Sequence, residues 1–163
     1  MNIKLKRKYL YYLNYKIKCS IGLNGITKNK REGDLKTPSG IFTLNKIFYR
    51  KDRVKFFKST LRKICIKKNT GWCDDINSKD YNKQIKFPFN GSAEKLWRKD
   101  NTYDLIIVIN YNLNPIIKKR GSAIFLHLSK KNYAPTKGCI AISKLDMINL
   151  INNIKKNSKL IIY

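Results

Sequence analysis

The 163-residue sequence predicts a mainly β domain, and three observations carry that expectation. Short apolar runs rich in β-branched residues, separated by turn residues, dominate the chain. Only one segment combines clear helical spacing with a cap. No internal repeat and no Pro/Gly/Ser linker divides the sequence, so residues 1–163 read as one domain of ordinary size. A chain this long buries roughly two thirds of its unfolded surface and needs no disulfide or metal to hold a core.

Tyr15-Lys16-Ile17-Lys18-Cys19-Ser20-Ile21-Gly22 alternates apolar and polar, as a half-buried strand does. Leu61 to Ile66 is a second strand candidate. Tyr103-Asp104-Leu105-Ile106-Ile107-Val108-Ile109-Asn110 is a continuous β-branched run, suited to a strand buried on both faces. Ser122-Ala123-Ile124-Phe125-Leu126-His127-Leu128 is another, with Ala123, Phe125 and His127 on one face. Leu160 to Tyr163 closes the chain as a short strand. The one clear helix starts at a capping box of Ser143 and Asp146 and carries apolar residues at helical spacing from Leu145 to Ile154. Lys155 and Lys156 are expected in its last turn, where they would complement the dipole. A further helical turn is expected around Ala93 to Trp97.

Composition excludes several function classes. The formal net charge is +26, which raises a polyanion partner as a reading. The excess is Lys rather than Arg, however, and the lysines are spread along the chain rather than gathered on one helix or stripe. Compositional bias toward Lys, Asn and Ile is the simpler account and argues against nucleic acid, which is read through Arg forks and clustered patches. Attraction to anionic envelope polymers stays open. The basic start (Lys4, Lys6, Arg7, Lys8) is not followed by the roughly 7–15 apolar residues of an export signal. No run reaches the ~18 apolar residues of a membrane span, so the expectation is a soluble chain.

The cysteines are Cys19, Cys65, Cys73 and Cys139. None forms a CxxC pair and His127 is the only histidine, so no structural zinc site is expected. Free thiols are the expectation for all four. Cys139 is the best nucleophile among them: Lys137 lies two residues before it, whereas Cys73 is followed by Asp74 and Asp75, which disfavour a thiolate. Cys19 and Cys65 sit in strand-like alternation, where cysteine behaves as a small hydrophobe. Gly138 lets the backbone turn tightly beside the thiol and present N–H groups to an oxyanion; the Cys139 N–H is the first such donor and Gly138 the second. His127 lies twelve positions before Cys139, with Pro135 in the intervening loop, enough chain to bring thiol and imidazole together. From residue types alone, a structural histidine and a core cysteine remain the alternative.

The motifs read together sharpen this. Gly121-Ser122-Ala123-Ile124-Phe125-Leu126-His127 and Pro135-Thr136-Lys137-Gly138-Cys139 resemble the catalytic segment of the L,D-transpeptidase (YkuD-type) family. Thr37-Pro38-Ser39-Gly40-Ile41-Phe42, with its Lys30-Arg31-Glu32-Gly33-Asp34 lead-in, looks like the family's turn and strand. Gly71-Trp72-Cys73-Asp74-Asp75, Tyr81-Asn82, Glu94-Lys95-Leu96-Trp97-Arg98-Lys99-Asp100 and Tyr103-Asp104-Leu105 resemble one branch of it. The resemblance implies a β-sandwich of the L,D-transpeptidase catalytic domain type with a few peripheral helices. It implies a monomer acting on peptidoglycan stem peptides, in cell-wall biogenesis at the envelope or periplasm, although the cytoplasm stays open because no export signal is seen. Mapped onto this sequence, the resemblance implies that Cys139 attacks the L-centred carbonyl of an L,D bond, with His127 as the base, Gly138 in the oxyanion segment, and neither metal nor organic cofactor. An amine resolves the thioester to a 3–3 cross-link; water would give a carboxypeptidase or amidase. A basic polyanion-binding module without chemistry is the rival of a different class. Lys137 stands where the family usually has a second histidine, and Ala141 where it has Arg or Asn. Lys137, Arg31 on the lead-in loop, and Arg98 as a carboxylate clamp are the substrate-binding candidates.

Overall fold

A computed structural model describes residues 1–163. Its elements are β1 (Asn2–Lys6), β2 (Tyr9–Tyr12), β3 (Tyr15–Lys18), β4 (Ile26–Thr27), β5 (Thr37–Pro38), β6 (Gly40–Tyr49), β7 (Arg62–Cys65), β8 (Thr70–Cys73), β9 (Gln84–Lys86), β10 (Ala93–Lys95), β11 (Leu105–Ile109), β12 (Phe125–Leu128), β13 (Ile140–Ile142), α1 (Lys144–Asn153) and β14 (Lys159–Ile162). The mainly β expectation holds. The main sheet runs β13-β12-β11-β6-β14-β1-β2-β3, with β7 also on β6. Bridges from Ser20 to Ala141 and from Gly22 to Thr136 bring the far edge back to β13, so the sheet nearly closes into a barrel.

The pleat divides side chains between an inner and an outer face. Leu105, Ile107 and Ile109 of β11 point inward, into a cluster with Ile3, Leu5, Leu10 and Leu160. The helix covers this cluster with Met147, Leu150 and Ile151, all fully buried. Ile106 and Val108 point outward, where they meet Phe48, Phe125 and Trp72. This outer cluster exists because a second sheet, β10-β8-β9, packs over that flank through Trp72, edge-to-face with Phe125 at 5.1 Å. The continuous β-branched run therefore is a strand buried on both sides, as its composition implies.

Three expectations are corrected. Ala93–Lys95 is the edge strand β10 and not a helical turn: the ladder to β8, with Glu94 opposite Trp72, overrides the helix propensity of Ala-Glu-Lys. Helix α1 has no basic residue in its last turn. Ile154, buried in the inner core, is the extended C-cap, and Lys155 and Lys156 lie beyond it. There is one helix rather than a few. The basic N-terminal segment, read only as lacking an export signal, forms β1 and β2, with β1 pairing parallel to β14 in the middle of the sheet. Ser143 does cap the helix, accepting the Asp146 N–H at 3.1 Å. All four cysteines are free thiols.

Candidate active site

Register places the nucleophile and base candidates. Strands β12 and β13 run parallel, with Leu126 opposite Ile140 and His127 opposite Ala141. Cys139 is two residues before Ala141, so its side chain lies on the same outer face as His127, diagonal to it. Both line a cleft of about 480 Å³ on that face, bounded by β10, by residues 30–35 and by the 130–137 loop.

Cys139 is 9 % exposed. Its Sγ donates to the Ala123 carbonyl at 3.1 Å and accepts the Phe125 N–H at 3.4 Å, rather than bonding the imidazole. Burial, reinforced by the negative charge of Glu94, pushes the thiol up to about 12; the Phe125 N–H and the Lys30 ammonium pull the other way. The thiol is therefore protonated in the resting structure. His127 is buried and its Nδ1 lies 3.0 Å from the Leu128 carbonyl. A carbonyl accepts only, so Nδ1 carries the proton and Nε2 is left as the base. Burial pushes His127 down to about 4, with Arg98 adding to the shift and the Leu128 carbonyl opposing it. Tyr103 packs edge-on to the imidazole at 5.3 Å and holds its plane.

The loop before Cys139 is fixed by two threonines. Thr136 Oγ1 accepts the Gly138 N–H at 3.1 Å and donates to the Cys139 carbonyl at 2.6 Å. Thr37 Oγ1 accepts the Gly22 N–H at 2.8 Å and donates to the Gly138 carbonyl at 2.9 Å. Gly138 adopts φ +139°, and a Cβ there would meet the Lys36 carbonyl at 2.9 Å, so only glycine fits. Its N–H is engaged by Thr136, whereas the Cys139 N–H finds no protein acceptor.

Of the substrate-binding candidates, Lys137 and Arg98 line the cleft. Lys137 is exposed at its mouth, while Arg98 is forked onto Asp100 at 2.9 and 2.7 Å. Arg31 is exposed and lies outside the lining. Its neighbour Lys30 takes the inner position, 3 % exposed, bonded to the Asp34 carboxylate and to the Arg31 carbonyl at 2.8 Å. The reading from residue types missed Glu94 and Tyr103. Glu94 lines the cleft and accepts the Tyr103 hydroxyl at 2.7 Å; burial holds its carboxyl above the ordinary range, and that hydrogen bond opposes the shift. It also missed Asn82. Its Oδ1 accepts both Trp72 Nε1 at 2.9 Å and the Ala123 N–H at 3.0 Å, tying the small sheet to the strand that carries His127. Its one sequence signal is the motif resemblance of Tyr81-Asn82, which carries no role for the side chain. No group of metal-ligating side chains large enough to hold an ion is present.

A parallel ladder thus sets a buried cysteine diagonal to a buried histidine on a nearly closed β sheet. The family model of the L,D-transpeptidase catalytic domain, YkuD, matches residues 2–162, and the chain belongs to that family. None of the curated proteins compared with it matches the chain. Membership makes it a transpeptidase-type domain of a family that acts on peptidoglycan peptides. No helix is long and apolar enough to cross a membrane.

Proposed function

We propose that the chain is a cysteine-dependent peptidoglycan L,D-transpeptidase acting on stem peptides at the cell envelope. The observation that carries this reading is the shared cleft: Cys139, with an unengaged N–H, and His127, with Nε2 unprotonated, open onto the same outer face. The donor peptide enters with its L-centred carbonyl over Cys139. Displacement of Sγ from Ala123 turns the thiol toward Nε2, which takes its proton as sulfur attacks. With the thiol near 12 and the imidazole near 4, moving that proton in the empty site costs on the order of 10 kcal/mol. The ion pair is thus formed only as the oxyanion settles on the Cys139 N–H. The imidazolium returns its proton to the leaving amine, and the thioester remains. An amine of a second stem, deprotonated by His127, attacks the thioester and closes the 3–3 cross-link, regenerating the thiol.

Intact-mass measurement after incubation with a stem tetrapeptide or a carbapenem tests the reading. Wild type should carry one covalent adduct, Cys139→Ala none, and His127→Ala should form it far more slowly. Folded wild-type protein that forms no adduct with any donor would sink the proposal. Product analysis with and without an amine acceptor separates cross-linking from hydrolysis.

A further inference from the structure

Strand pairing assembles a surface that the linear sequence conceals. On the outer face, outside the cleft lining, the register sets Ile41, Ile161, Lys4, Tyr11 and Lys16 in one row across five strands. A second row sets Lys6, Tyr9 and Lys18 side by side, with the Lys6 ammonium 5.1 Å from the Tyr163 ring. The third contains Thr43, Lys159 and Asn2. The acidic residues of the chain all lie between Glu32 and Asp146, and β6 has none, so no carboxylate belongs to any of these five strands. Each lysine in the rows is exposed, and none enters a salt bridge. Lysines that look scattered along the sequence are thus gathered, with tyrosines between them.

We infer that this Lys–Tyr face of β6, β14, β1, β2 and β3 docks the protein on an anionic phospholipid bilayer. Charge complementarity gives the sign of the partner, and the layout gives its shape. Three adjacent rows make a two-dimensional array, which matches a charged surface better than a single strand of polymer. The cations are compact ammonium groups, not the guanidinium forks that read phosphodiesters bidentately. Ile41 is 65 % exposed and abuts Ile161, an aliphatic end that an acyl–headgroup boundary covers and a polyanion does not. Tyrosine prefers that same boundary. Lys18 lies 4.9 Å from the Tyr133 ring, and Tyr133 belongs to the loop that borders the cleft, so the docked face adjoins the cleft rim. This inference is independent of the catalytic reading.

The test is flotation of the full chain with phosphatidylcholine vesicles, with and without phosphatidylglycerol. Wild type should bind only the anionic vesicles, and added salt should release it. Substituting Lys4, Lys6, Lys16 and Lys18 with Gln should weaken partitioning by about 100-fold or more. A charge-matched control, with Lys51, Lys67, Lys68 and Lys99 changed to Gln, should lose only a few-fold. Ile41→Glu, at an exposed position with no fold to disturb, should also weaken binding. Equal losses in the two quadruple variants, or no binding by wild type, overturns the proposal. Single-stranded DNA held more tightly than the vesicles, through the same lysines, overturns it in favour of a nucleic acid partner.

Discussion

Glu94 and His127 oppose one another in ways that single substitutions expose. The Glu94 charge helps keep the Cys139 thiol protonated, so Glu94→Gln should speed alkylation of Cys139 at neutral pH by about tenfold. Peptide mapping after iodoacetamide is the readout, because Cys65 is also partly exposed. An unchanged rate would mean that the carboxyl is already neutral at that pH. His127 binds protons more weakly folded, near 4, than unfolded, near 6.5. Its contribution to stability is therefore complete above pH 6.5 and is lost as pH falls toward 4, in total about 3 kcal/mol. It is the only histidine, so urea unfolding of His127→Gln at pH 7.5 and 5 should show a much flatter difference than wild type. Glu94 works in the opposite sense: its raised value favours the protonated form, a contribution that is lost as pH rises past the unfolded carboxylate range. Glu94→Gln should then steepen the wild-type dependence.

At the scale of elements, polar side chains join pieces that the pleat alone would leave apart. Asn82 joins the small sheet to β12, so Asn82→Leu leaves the Trp72 and Ala123 N–H groups buried without acceptors. The expected loss is about 2–4 kcal/mol in chemical denaturation, with slower acylation of Cys139. Thr37→Val removes a donor and an acceptor that brace Gly138, and it should lower acylation more than it lowers stability, whereas Thr37→Ser should restore both. These joints also mark the limit of what the sequence reveals. Leu105–Ile109, the His127 strand and the Ser143 cap were legible because periodicity, β-branching and capping chemistry are local. That Cys139 and His127 face one cleft was foreshadowed by motif resemblance and by the short loop between them. Glu94, Lys30 and Asn82 were visible only as members of resembling motifs, and their contacts were not, since each acquires its role from a strand or loop distant in sequence. The strand at Ala93–Lys95 was misread because pairing with β8 outweighs local propensity. The strands β1 and β2 were not read at all, because Lys and Tyr on one face conceal an apolar face of Ile3, Leu5 and Leu10.

For the whole molecule, the uneven distribution of charge has a thermodynamic cost. With a net +26 and no acid on five adjacent strands, repulsion within the Lys–Tyr face should make the melting temperature rise with added salt. The Gln variant of Lys4, Lys6, Lys16 and Lys18 should melt higher than wild type at low salt and converge with it at high salt. A salt-independent melting temperature in wild type would remove the repulsion from the account. The pairing of β1 with β14 has another consequence, one of timing. The two strands that meet in the centre of the main sheet lie at opposite ends of the described chain, Asn2 opposite Lys159 and Leu5 opposite Ile162. During synthesis the β1–β3 ribbon emerges before β14 and waits, one backbone edge unpaired, until that strand leaves the ribosome. Contacts that distant in sequence form slowly. Cys139 and His127 are therefore translated before the sheet that holds them closes, and the interval between the two is when this chain is most exposed to aggregation and to chaperones.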